Sequence, residues 1–224
     1  MRKEILDKIN KDTWIISDTH IGHKNITEFE PCRLTQMRID GYGDEEHDKW
    51  IIDNWNAVVK PGDTVLHLGD FAFKYVAESI EKLNGDIIMI LGNHDGKGVE
   101  QKYNGIETVR GFYYEDSMGF FNKVHNPIQN DRMLSGFIKE IDNKKYLFAH
   151  YPVFDNDTWD RANSRIAPRV DILEKLYKGL NCDYNVHGHV HSNKSAFKDS
   201  INVCFEHLSF QPKKLGDILI NTVN

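Results

Sequence analysis

The sequence predicts an α/β fold, and three observations carry that prediction. Apolar runs and helical patterns alternate as strand, helix, strand through the first half of the chain. The second half is richer in short apolar runs, so strands dominate there. Five of the apolar runs also end abruptly in Asp, Asn or His. Residues 86–95, "DIIMILGNHD", show the change most clearly: apolar through Leu91, then Gly92, Asn93, His94 and Asp95.

The elements follow in order. "TWIIS", residues 13–17, is a strand ending at Asp18. Residues 21–43 carry Pro31, Gly41 and Gly43 and read as loop with a short helix. Residues 44–59 read as a helix whose acidic start, Asp44 to Glu46, suits the positive end of the helix dipole. Ile51, Trp55 and Val58 fall on one face of it, and Pro61 with Gly62 stops it. "DTVLHLGD", residues 63–70, is a second strand. A helix bearing Val76, Ile80 and Leu83 follows, closed by Gly85, and "DIIMIL" is the third strand. This alternation requires parallel pairing through right-handed crossovers. Later strands are expected at 107–115, 144–150, 183–190, 202–210 and 217–223. A helix from about Arg169 to Lys178 offers Ile172, Leu173, Leu176 and Leu180 to the core.

The bulk numbers bound the function. A chain of 224 residues with 40% hydrophobic content suits one domain, residues 1–224, with a real core. The net charge of −6 excludes coating of nucleic acid through bulk positive charge. No stretch approaches the ~18–20 apolar residues of a membrane helix, and the start shows no apolar signal core. Cys32, Cys182 and Cys204 form no C-x-x-C pair. Buried free thiols in a reducing cytoplasm are expected.

The strand ends carry the chemistry. "WIISDTH" ends in Asp18 and His20, "VLHLGD" in Asp70, "IMILGNHD" in Asn93 and His94, "YLFAH" in His150, and "NVHGHVH" in His187, His189 and His191. Ligands of open α/β sheets bind beyond the carboxyl ends of the strands, so these donors are expected to converge. Carboxylates, imidazoles and an amide oxygen suit Mn, Zn, Fe, Co or Ni rather than soft Cu(I). Asp18 and His20, like His189 and His191, lie two apart, which on a regular strand puts both on one face. Gly69, Gly92 and Gly188 beside them permit close backbone approach. Leaving out His94 and His187, seven donors exceed the four of a tetrahedral site and point to two divalent ions sharing a carboxylate, a pairing suited to phosphoryl transfer.

"SDTHIGH", "LGDF", "GNHD", "FAH" and "HGHVH", in this order, resemble the calcineurin-like metallophosphoesterase superfamily. "SDTHIGHKNI" and "DNWNAVVKPGDTVLHLGDFAF" look closer still to its small bacterial and bacteriophage members. The resemblance implies a four-layer αββα sandwich of two mixed β-sheets flanked by helices. It implies that Asp18, His20 and His191 hold one ion, that Asn93, His150 and His189 hold the other, and that Asp70 bridges them. A hydroxide between the ions would attack phosphorus in line, and His94 would protonate the leaving oxygen. Protein-phosphatase-like members orient this histidine with a second Asp three residues after the first; here that place is Phe73.

The implied activity is hydrolysis of a phosphodiester or phosphomonoester of a small, nucleotide-like substrate. A nuclease acting on nucleic-acid ends and a non-catalytic protein-binding scaffold are the alternatives; the acidic net charge disfavours the nuclease. For substrate contacts, His23 is placed to reach a phosphate. Arg161, Arg165 and Arg169 are spaced by four, which suits either a solvated face or a phosphate clamp beside Trp159. Pro168 argues against a regular helix through them.

Overall fold

The computed structural model describes residues 3–73, 80–95, 106–116, 118–124, 134–155, 162 and 165–220. Its strands form two mixed sheets. In the first, Trp14–Ile16 (β1), Thr64–His67 (β2), Asp86–Ile90 (β3) and Ile106–Val109 (β4) run parallel in that order. The second contains Phe112–Glu115 (β5), Phe121–Lys123 (β6), Gly136–Ile141 (β7), Lys144–Ala149 (β8), Tyr184–His187 (β9) and Ser200–Asn202 (β10), in the order β10-β9-β8-β7-β5-β6. Lys213–Lys214 (β11) closes the first sheet antiparallel to β1. The helices are Lys3–Asp7 (α1), Ile26–Phe29 (α2), Pro31–Ile39 (α3), His47–Val58 (α4), Ala167–Gly179 (α5) and Leu215–Ile220 (α6).

Side-chain alternation explains the layering, because successive strand residues face opposite sides. Phe137, Tyr146 and Phe148 join the core that also holds Ile15, Val65 and Ile88 of the first sheet. Their neighbours Ile138, Leu147 and Ala149 pack with Val170, Leu173 and Tyr177 of α5. The second sheet is thus covered on both faces. On α4, Trp50, Ile51 and Trp55 are buried, and the Trp55 indole N–H donates to Asn84 O at 2.9 Å. The four-layer expectation holds.

Several local expectations change. Residues 21–43 hold two helices, with Pro31 in the first turn of α3, where its missing N–H leaves no bond unmade. Pro168 likewise sits in the first turn of α5, which starts after Arg165, so Arg165 and Arg169 do not share that helix; Arg161 lies outside the described residues. On α5 Leu173 is buried, while Ile172 and Leu176, and Leu180 just past the helix end, are only partly so. The strand expected at 107–115 is two strands in different sheets, parted at Gly111 with φ +94°, a conformation glycine adopts without strain. The 202–210 strand stops early: after the Ser17–Cys204 bridge the chain turns, with Ser209 and Phe210 at φ 57° and 62°. The strand expected at 217–223 is helical through Ile220. Leu215 and Leu219, four apart, are buried while Asp217 and Ile220 are exposed, a period of one helical turn rather than two residues. Cys182 and Cys204 are buried, but Cys32 is exposed. Most of the helix expected before Gly85 lies outside the described residues. Among those described, no helix is long and apolar enough to cross a membrane.

The Phe137 and Phe148 rings stack at 4.8 Å and neither is exposed. Phe148→Ala is expected to lower stability by about 3–5 kcal/mol, read as a lower denaturant midpoint with an unchanged slope.

Candidate metal centre

The donor-bearing residues lie just past the strand ends, not on them. β1 ends at Ile16 and β9 at His187. Asp18, His20, Asp70, His189 and His191 then take φ of 58°, 53°, 52°, 73° and 50°. The two-apart spacing therefore does not act through strand alternation, as the sequence suggested; left-handed turns aim each side chain. That conformation costs roughly 1–2 kcal/mol per residue and is best tolerated by short polar side chains. Hydrogen bonds hold it: Asp18 N–H to Gly69 O and His20 N–H to Asp70 O, both 3.0 Å, and His189 N–H to Asp18 Oδ2 at 2.9 Å. Two glycines make room. A Cβ on Gly92 would strike the Asp70 carboxylate, and one on Gly188 the Asp18 carboxylate.

The side chains meet in one buried cluster. His20 Nε2 and His191 Nε2 each lie 3.8 Å from Asp18 Oδ1. Asp70 Oδ2 lies 3.7 Å from His20 Nε2 and 3.5 Å from His150 Nε2. The His150 and His189 rings are 5.1 Å apart. Asp18–His20–His191 and Asp18–Asp70–His150 each present three ligand atoms within the span of one ion.

Three features fit this cluster to cations. Asp18 Oδ1 and both His20 ring nitrogens are buried without a hydrogen-bond partner, an arrangement that is costly unless something else satisfies them. His150 Nδ1–H donates to Leu68 O at 2.9 Å, which turns the Nε2 lone pair toward the Asn93 side-chain amide, 3.0 Å away. Burial lowers that ring well below its usual pKa, which favours the neutral form. The third feature is the carboxylate pair. Burial raises Asp70 well above its usual range, aided by the charges of Asp18 and Asp95. Burial acts on Asp18 in the same direction, but His150, His20 and His191 hold it well below. Burial also pushes His20 down to about 3, the neutral form a metal ligand needs.

Two supports were invisible in the sequence. Arg33, fully buried on α3, donates through Nε to Glu206 Oε1 at 2.7 Å, through Nη2 to Asp18 O at 2.6 Å and through Nη1 to Thr19 O at 3.0 Å. Glu206 Oε1 in turn lies 3.3 Å from His191 Nδ1. Burial would raise Glu206, but Arg33 and His191 hold it down to about 2. That anion takes the Nδ1–H of His191 and turns Nε2 toward Asp18. His47 is buried too, with Nε2 3.3 Å from Arg33 Nη1. The second support is Asp95, whose oxygens accept the N–H groups of Asp70, Phe71 and Gly92 at 2.7–3.0 Å. Its carboxylate shapes the backbone and does not orient His94.

The remaining candidates lie at the rim. His94 is exposed, its N–H bonded to Asp70 Oδ1 at 2.8 Å and its ring 5.5 Å from His20 and 5.8 Å from Phe73. His23 lies 5.6 Å from His20, ring to ring. Arg165 is exposed just before α5; Arg161 and Trp159 lie outside the described residues. Arg169 donates to the Tyr151 hydroxyl at 2.9 Å, and the buried Tyr151 ring packs edge-on against His150 and His189. His67 and His187 are buried at strand ends, His67 Nδ1 accepting Gly69 N–H.

Two mixed sheets whose strand ends gather a carboxylate–imidazole cluster make an α/β sandwich with a candidate metal centre. The chain belongs to the calcineurin-like phosphoesterase superfamily: the family's domain model matches residues 12–205. It is 37% identical over 119 residues to uncharacterized protein MJ1445 of Methanocaldococcus jannaschii, covering 51% of this chain and 58% of that one. It is 38% identical over 91 residues to the gene 66 protein of Mycobacterium phage L5, covering 38% and 40%. The match therefore spans about half the length of these relatives. Over 95% of this chain and 98% of the other, the structure resembles the crystal structure of AQ665, a protein of unknown function from Aquifex aeolicus, with a TM-score of 0.63 and 28% identity.

Glu206→Gln removes the anion that orients His191. It is expected to weaken Mn²⁺ binding by about 10–100-fold, measured by calorimetry on the chelated and reloaded protein. Arg33→Met, which strips the buried Glu206 carboxylate of its cationic partner, is expected to cost about 3–5 kcal/mol of stability.

Proposed function

We propose that this chain is a dinuclear phosphoesterase acting on a small, nucleotide-like phosphoester. The observation that carries the reading is Asp70 Oδ2, 3.7 Å from a nitrogen of one donor set and 3.5 Å from a nitrogen of the other. Asp18, His20 and His191 would hold one divalent ion, and Asn93, His150 and His189 the second. Asp70 would touch both. Such a pair, when bound, neutralises phosphoryl charge and makes water acidic enough to ionise near neutral pH.

The chain's own groups supply the rest. His94 stands at the exposed side of the cluster with its backbone tied to Asp70, and its ring would give a proton to the departing oxygen. No carboxylate among its described contacts orients it; Phe73 occupies that side instead. His23, partly exposed beside His20, would donate to a phosphoryl oxygen. Arg165 would add a guanidinium from the approach to α5.

Turnover of a chromogenic phosphodiester and a phosphomonoester with added Mn²⁺ tests the reading. Activity lost in Asp70→Asn and on chelation, and restored by Mn²⁺, supports it. No turnover by the metal-loaded chain would favour the non-catalytic scaffold. His94→Ala is expected to lower kcat by about 10²–10⁴-fold on esters with alkoxide leaving groups and far less on nitrophenyl esters, whose leaving group needs no proton. Arg165→Ala is expected to raise KM for a nucleotide; an unchanged KM removes Arg165 from the site.

A further inference from the structure

A row of rings runs outward from the open side of the cluster. The His23 ring meets His20 at 5.6 Å, Phe73 at 4.3 Å and Phe29 at 5.9 Å. Phe73 also meets His94 at 5.8 Å. Phe29 is 67% exposed and Phe73 42%. A single exposed aromatic is ordinary. Here two flank one histidine at the mouth of the metal cluster, and the second touches the residue that would face the leaving oxygen.

The rings stand on fixed backbone. Phe73 N–H bonds Ile21 O at 3.0 Å, next to the Ile21–Ala72 bridge. Phe29 closes α2, its N–H on Asn25 O at 3.3 Å. His23 Nδ1 accepts the Asn25 N–H at 3.2 Å, so its proton is on Nε2 and its ring orientation is set. Rigid aromatic faces of this kind bind planar rings at low entropic cost. An isolated apolar side chain of a substrate would gain less from them, and a polyanion would gain nothing from the rings themselves.

We propose that Phe29, His23 and Phe73 form a stacking subsite for the base of a nucleoside leaving group, with its phosphate at the metal cluster. The inference rests on the phosphoesterase reading above and narrows it to mononucleotides. The position of Phe73 beside His94 places the base on the leaving side, one sugar away from phosphorus. The net charge of −6 favours a single nucleotide over a polymer, since long nucleic acids bind through many basic contacts.

The test is calorimetry on the Mn²⁺-loaded full chain with inorganic phosphate, ribose 5-phosphate and adenosine 5′-monophosphate. The monophosphate is expected to bind about tenfold tighter than ribose 5-phosphate, the scale of one base–aromatic stack. In the Phe29→Ala/Phe73→Ala variant that ratio falls to near one, with the affinity for inorganic phosphate unchanged, which also reports an intact cluster. Equal affinities in the wild type, or an unchanged ratio in the variant, overturn the subsite while leaving the phosphoesterase reading in place. Failure of the wild type to bind inorganic phosphate overturns both. Wild-type self-association that the double variant abolishes, without preference for the monophosphate, marks the rings as a protein interface and overturns the subsite.

Discussion

Burying Asp18 and Asp70 in one cluster is the constraint the rest of the structure answers to. Two like charges removed from water repel strongly in a medium of low dielectric constant. The two carboxylates answer it unequally: Asp70 is driven high by burial, while Asp18 is held low. A divalent ion held by these residues would offset the repulsion and give the Asp18 and His20 atoms a partner. The cluster's sparse internal hydrogen bonding fits residues that would hold a cation.

That arrangement needs support from outside the donor set. Arg33 crosses from α3 to reach the Asp18 and Thr19 carbonyls and the Glu206 carboxylate at once. A buried ion pair is weak evidence for stability by itself. Its use here is geometric: it ties the loop after β1 to the turn after β10 and fixes the side of His191 that faces the cluster. Asp95 does the same for the loops after β2 and β3, gathering three N–H groups on one carboxylate. Both act on backbone, because five of the donor residues lie in left-handed turns that would otherwise relax.

The layering positions the cluster in the same way. The parallel pairing of β1, β2 and β3 brings three strand ends to one edge of the first sheet, while β8 and β9 bring two more from the second. The Ser17–Cys204 bridge joins the two edges. The two-sheet core makes these ends rigid, so small shifts of the loops are resisted by packed side chains rather than by loop contacts alone.

Much of this was legible in the residues. Apolar periodicity marked β1, β2, β3, β8, β9, α4 and α5, because those elements bury one face or both and their patterns follow directly from burial. The donors at the strand ends were legible because Asp, Asn and His are unexpected after long apolar runs. Leu215–Ile220 was misread because a short apolar segment fits either period, and only its packing chooses between them. The division of 107–115 between two sheets was hidden for a related reason: a glycine hinge looks the same whichever sheet receives the next strand. Arg33, Glu206 and the left-handed φ values had no local signature, since each depends on a partner far away in the chain. The sequence by itself determined which atoms are available to bind cations and near which strand ends they lie. Tertiary structure alone decided how they are aimed, since orientation is set by hydrogen bonds between loops that only folding brings together.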